Sequence, residues 1–152
     1  MTLEELEKRL INIRKEEEVT FKMLKDRGLS SDTISNIHEG KEYKLSSLFK
    51  YLDALMYVIE VNGVTVSDIK GFGNLLRIMR QNKNLSLAQV QAQLGWTPRQ
   101  VIAIEKGRGY TRNSLLKYTS LIEVNYELES VFDLPSDIRE NLYKDIDDIE
   151  SL

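Results

Sequence analysis

Gly28, Leu29, Ser30, Ile34, Ile37, Gly40, Lys41, Leu48, Lys50 and Tyr51 recur 67 residues later as Gly95, Trp96, Thr97, Val101, Ile104, Gly107, Arg108, Leu115, Lys117 and Tyr118. Self-similarity at a fixed offset means that one supersecondary unit is built twice, each copy about 65 residues long. A unit that small buries only about 60% of the surface its unfolded chain exposes. The copies therefore need each other, or a partner chain, to complete an apolar core.

The apolar spacing within each copy is helical. Leu3, Leu6, Leu10 and Ile13 predict a first helix over residues 3–15, stopped by Glu16-Glu17-Glu18. A second runs from Thr20 to Arg27 before Gly28. A third, capped by Ser30, covers about Ser31–Glu39 before Gly40, and Leu45, Leu48, Phe49, Leu52 and Leu55 mark a fourth. A short fifth helix is expected to begin at Ser67, after Asn62-Gly63. In the second copy Leu75, Leu76, Ile78 and Met79 mark the first helix, and Ser86 caps a second that ends at Leu94-Gly95. The third opens on Thr97-Pro98-Arg99-Gln100, a capping box with proline at the first helical position. A fourth is expected over about Arg112–Val124, and Val131-Phe132-Asp133-Leu134 echoes Val66-Ser67-Asp68-Ile69. Lys70-Gly71-Phe72-Gly73 falls between the copies and reads as their linker.

Residues 136–152 belong to neither copy. Ile138, Leu142, Ile146 and Ile149 lie on one helical face, with Asp145, Asp147, Asp148 and Glu150 on the rest. Such a stripe needs a cover: the body of the same chain, a second chain in a dimer, or, for the acidic side, the basic middle of the protein in an autoinhibitory contact.

Net charge is −3, but it is unevenly spread: −2 over residues 1–70, +6 over 71–126 and −7 over 127–152. The middle segment is basic enough to favour a polyanion despite the acidic whole. Cysteine is absent, so no disulfide or thiolate metal site is possible. His38 is the single histidine, which leaves no basis for a histidine metal site or a catalytic triad, and the sequence indicates neither an enzyme nor a cofactor. The apolar runs are too short to span a bilayer and the first residues lack a secretion signal, so a soluble cytoplasmic protein without membrane contact is expected.

The stretch from Leu85 to Gly107, Leu-Ser-Leu-Ala-Gln-Val-Gln-Ala-Gln-Leu-Gly-Trp-Thr-Pro-Arg-Gln-Val-Ile-Ala-Ile-Glu-Lys-Gly, resembles the Cro and phage-repressor type helix-turn-helix, the XRE family. The likeness covers about residues 72–134, with a weaker copy over about 3–69. It implies an all-α chain of two tandem five-helix, lambda-repressor-like domains, 1–70 and 71–135, plus a C-terminal amphipathic helix over 136–152. It also implies that the third helix of the second domain enters the major groove. Carried over by position, Thr97 opens that helix, Arg99 and Ala103 sit where the family reads bases with Gln100 beside them, and Lys106, Arg108 and Arg112 lie near the backbone. Arg99 has the chemistry to fork onto guanine O6 and N7, while Gln100 is equally suited to closing the capping box. Arg80 and Lys83 are either phosphate contacts or solvated surface. Trp96 and Val101 read as core.

The first copy keeps the framework and changes the face. Its third helix offers Ser31, Asp32, Asn36 and Glu39, with Lys41 and Lys44 in the loop beyond as phosphate contacts. The resulting expectation is a DNA-binding transcriptional regulator, a repressor of bacterial, phage or mobile-element origin, acting on a double-stranded operator. It acts either as a covalent pseudo-dimer or as a homodimer. The rival expectation is a protein-interaction module of the same fold, such as an antirepressor, an antitoxin-like partner or an inhibitor, acting through the first copy or the C-terminal helix.

Overall fold

The computed structural model describes residues 1–141. The first copy comprises α1 (Leu3–Glu16), α2 (Phe21–Asp26), α3 (Ser31–Glu39), α4 (Leu45–Leu55) and a hairpin of β1 (Tyr57–Val61) and β2 (Val64–Val66). The second comprises α5 (Ile69–Asn82), α6 (Leu87–Leu94), α7 (Pro98–Lys106), α8 (Arg112–Thr119) and β3 (Tyr126–Ser130), followed by a single 3-10 turn, Val131–Asp133. Residues 136–141 are helical; the remainder of the expected C-terminal helix lies outside the described residues.

This overturns the all-α expectation. The strands form one antiparallel sheet in the order β2-β1-β3; where a fifth helix was expected, the first copy has the β1–β2 hairpin and the second has β3 and the single 3-10 turn. Ser67 opens nothing; the Asp68 carboxylate caps α5 by accepting from the Gly71 amide. The physical reason is the β-branched run Val58-Ile59 and Val64-Thr65-Val66 around Asn62-Gly63. Both turn residues have positive φ, 50° and 84°, as a two-residue hairpin turn matched to strand twist demands. α8 stops at Thr119, short of Val124, and Tyr126-Glu127-Leu128-Glu129 alternates into β3.

β1 is the central strand and joins the copies. Ile59 pairs with Val66 on one side and with Leu128 on the other. A second seam has the symmetry of the repeat itself. Lys44 bridges Thr111, the Leu45 amide donates to the Tyr110 carbonyl at 3.0 Å, and the Arg112 amide donates to the Tyr43 carbonyl at 3.0 Å. Each of these residues meets the neighbourhood of its own counterpart 67 positions away, as in an isologous dimer contact about a two-fold axis. The main apolar cluster runs through both copies, with Leu6, Leu10, Ile34 and Leu52 from the first and Phe72, Leu76, Ile104 and Leu115 from the second, and a smaller one joins Val58 to Val131 and Leu134. Phe72 stands between Phe49 and Tyr126, ring centroids 5.9 and 6.3 Å away.

Lys70-Gly71-Phe72-Gly73 lies within α5, so the expected linker is the first turn of the second copy's first helix, and only Ser67-Asp68 separates it from β2. Gly73 is there because α7 passes too close for any side chain: a Cβ at this position would stand 2.5 Å from the Ile104 carbonyl oxygen. No helix among the described residues is long and apolar enough to cross a membrane.

Gly73→Ala should lower folding stability by about 2 kcal/mol, because backbone has to move to admit the methyl group. Gly71→Ala, two residues earlier, meets only the flexible Asp68 carboxylate at 3.1 Å and should be close to neutral. Urea titrations of the two variants check the contrast.

Candidate nucleic-acid interface

α6, a tight turn and α7 are fixed by local chemistry. Ser86 accepts from the Gln89 amide at 3.1 Å while Gln89 Oε1 accepts from the Ser86 amide at 2.7 Å. Gly95 takes the left-handed conformation that ends α6, and the Trp96 amide returns to the Gln91 carbonyl. Pro98 opens α7. Trp96 is half-buried against the core, whereas Val101 and Ile104 are fully enclosed. That leaves Arg99, Ile102 and Lys106 outward, with Ala103 half-buried between them, and Arg108 exposed in the following loop.

Several residues read as DNA contacts have other occupations. Arg80 is buried: its guanidinium donates to both oxygens of Glu105, at 2.8 and 3.0 Å, and to the Leu85 carbonyl at 2.7 Å. Tyr118 completes the group by donating to Glu105 at 2.8 Å. Arg112 donates twice to Glu7 at 2.8 Å, and Tyr43 donates to the same carboxylate, tying α8 of the second copy to α1 of the first. Neither expectation holds, phosphate contact or solvated surface for Arg80 and a place near the DNA backbone for Arg112, because the acids that claim them are 25 and 105 residues away in the chain. Lys83 lies 4.0 Å from Glu123. Gln100 accepts from the Thr97 amide at 2.9 Å, so its side chain closes the cap of α7, and Thr97 itself is exposed at the helix start.

In the first copy Ser31 is exposed at the start of α3, but Asn36 donates to the Glu42 carbonyl at 3.1 Å and holds the following loop. Lys41 pairs with Glu39 at 2.8 Å. Lys44 remains exposed, with its backbone in the seam. Arg99 and Lys106, seven positions apart on α7, and Arg108 in the loop after it are therefore exposed without an ion-pair partner among the described residues, while Arg80, Arg112, Asn36 and Lys41 are engaged within the protein.

The Arg80–Glu105–Tyr118 group has an altered twin that sequence reasoning missed. Arg14 donates to the Val19 carbonyl as Arg80 does to Leu85, at an offset of 66, since α2 is shorter than α6. Tyr51 matches Tyr118, and where Glu105 stands the first copy has His38, whose Nε2 lies 2.7 Å from the Tyr51 hydroxyl. Arg14 is left with a buried Nε that has no partner, its guanidinium over the Phe21 ring at 4.8 Å. Burial, then the charges of Arg14 and Lys15, hold the His38 imidazole below its usual pKa.

Comparison with family models, with curated proteins and with solved structures found no match.

Glu105→Gln should destabilise the protein by about 3 kcal/mol, because Arg80 is then a buried charge without its counter-ion. His38→Glu should do the reverse, adding about 1 kcal/mol by giving Arg14 the carboxylate it lacks, and Arg14→Met should remove that gain. Denaturant midpoints of the three variants test both statements. The depressed imidazole pKa also sets a pH dependence. His38 favours the fold fully above its unfolded pKa of about 6.5, and this contribution falls as pH drops towards the folded value. Wild type should therefore lose more stability than His38→Gln between about pH 7 and pH 5.5, read as the thermal midpoint of each against pH.

Proposed function

We propose that the protein is a sequence-specific double-stranded DNA-binding regulator that reads the major groove with α7. The observation that carries this reading is the exposure of Arg99 and Lys106, with Arg108 in the loop after them, on a helix whose other side is fixed in the core. The resemblance of Leu85–Gly107 to XRE-type helix-turn-helix sequences points the same way, with Arg99 at a base-reading position and Lys106 and Arg108 on phosphates. Arg80 acts indirectly, by holding α5 against α7 through Glu105.

The isologous seam supports a monomeric chain as the binding species, a pseudo-dimer with two unlike halves. The first half contributes little to phosphate binding, given Asp32 exposed on α3 and Lys41 neutralised by Glu39. Its α2 instead exposes Phe21 and Met23, at 44% and 49%, which favours a protein contact for this half. An operator with one strong and one weak half-site follows, and repression by occlusion is the simplest mechanism.

Duplexes enriched from a randomised pool by the full chain test this directly. Arg99→Ala should weaken the enriched site by about tenfold to a hundredfold and relax the preference at one base pair. Lys106→Ala and Arg108→Ala should weaken all duplexes alike, each lowering the slope of log affinity against log salt by about 1. Failure of the wild-type chain to bind any duplex at about 50 mM salt would overturn the reading.

A further inference from the structure

Beside the outward face of α7 lies an open groove of about 1100 Å³ between α5, the start of α6 and α7. Its apolar lining is Leu87 and Ile102, which are 38% and 40% exposed although both are large aliphatic side chains. Lys70, Arg77, Lys106 and Arg108 also line it, and none of the four has an ion-pair partner among the described residues; the acids in the lining are already engaged, Asp68 on the Gly71 amide and Glu105 with Arg80. An aliphatic strip beside four uncompensated cations is suited to a segment that alternates aliphatic and acidic residues.

The chain itself contains such a segment. Residues 142–152 carry Leu142, Ile146 and Ile149 at spacings of four and three, interleaved with Asp145, Asp147, Asp148 and Glu150. The four acids of the segment supply counter-charges for Lys70, Arg77, Lys106 and Arg108, and its aliphatic residues supply apolar partners for Leu87 and Ile102. We propose that residues 142–152 dock in the α5–α7 groove of their own chain and compete there with nucleic-acid phosphates for Lys106 and Arg108. The competition rests on the DNA-binding reading above; the docking does not. Displacement by DNA should be strongly salt-dependent, since both competitors hold the same cations.

The absence of cysteine makes the contact directly testable in the full chain. Ile102→Cys combined with Ile146→Cys should form an intramolecular disulfide under mild oxidation about tenfold faster than Leu116→Cys with Ile146→Cys, because docking raises the local thiol concentration. Leu116 is equally exposed, at 40%, but is not part of the groove. Adding Asp145→Asn, Asp147→Asn, Asp148→Asn and Glu150→Gln to the first pair should remove the advantage. The same four changes in the cysteine-free chain should tighten binding to the enriched duplex about tenfold, and the oxidised chain should bind it more weakly than the reduced one. Equal rates for the two cysteine pairs, or a disulfide that forms only between chains, would overturn docking in cis and leave the DNA reading untouched. A fast intramolecular disulfide in a chain that binds no duplex in either redox state would support docking and overturn the DNA reading. A fast disulfide with duplex affinity unchanged by reduction would overturn the competition.

Discussion

The pairing of equal positions across the repeat is the constraint on which the rest of the structure depends. Tyr43-Lys44-Leu45 meets Tyr110-Thr111-Arg112 through two backbone hydrogen bonds, and β1 meets β3 through a ladder centred on Ile59 and Leu128. Neither four-helix set has a core large enough to be comfortably stable alone. Fusing them along a quasi-symmetric seam shares one apolar interior between both, and it gives the hairpin of the first copy a third strand. Without β3, β1 and β2 would be an isolated two-stranded ribbon, which is marginal in water.

Symmetry at the seam is accompanied by divergence in the polar groups. In the second copy Arg80, Glu105 and Tyr118 satisfy one another in the interior, and the group fastens α7 to α5 and α8. In the first copy His38 replaces the carboxylate, so Arg14 leans on the Phe21 ring and its Nε is unsatisfied. A buried ion pair contributes more to fixing orientation than to net stability, because desolvation offsets much of its attraction. The copy that keeps the pair is thus the one whose exposed helix is held most rigidly, and it is also the one with the unpaired Arg99, Lys106 and Arg108. The remaining carboxylate of this kind, Glu7, serves the seam by taking Arg112 from α8.

The local part of this architecture was legible in the sequence. Caps at Ser30, Ser86 and Thr97 and left-handed glycines at 40, 95 and 107 act over a few residues, so their signals sit where their effects do. The hairpin was legible too, since Asn62-Gly63 between β-branched runs is a strong turn signal. It was outweighed by the repeat, which invited a helix in both copies although only the first has the turn. β3 could not be read in the same way. Tyr126–Ser130 is a strand because β1, nearly 70 residues earlier, offers a free edge, and propensity over five residues does not reveal a partner at that distance. The partners of Arg80 and Arg112 were hidden for the same reason.

That last failure changes what segment charge means. Residues 71–126 carry eight cations and two acids, which suggests a uniformly basic surface. Folding withdraws Arg80 to Glu105 and Arg112 to Glu7, and sets Lys83 near Glu123. Five of the eight stay exposed without an ion-pair partner among the described residues: Arg77 on α5, Arg99 and Lys106 on α7, Arg108 in the loop after it and Lys117 on α8. A polyanion therefore meets a narrower and more directional positive surface than composition implies. On the DNA-binding reading proposed above, narrowing of this kind would favour a fixed register over diffuse attraction, because Arg99 and Lys106 sit on a helix that the buried Arg80–Glu105 pair ties to α5.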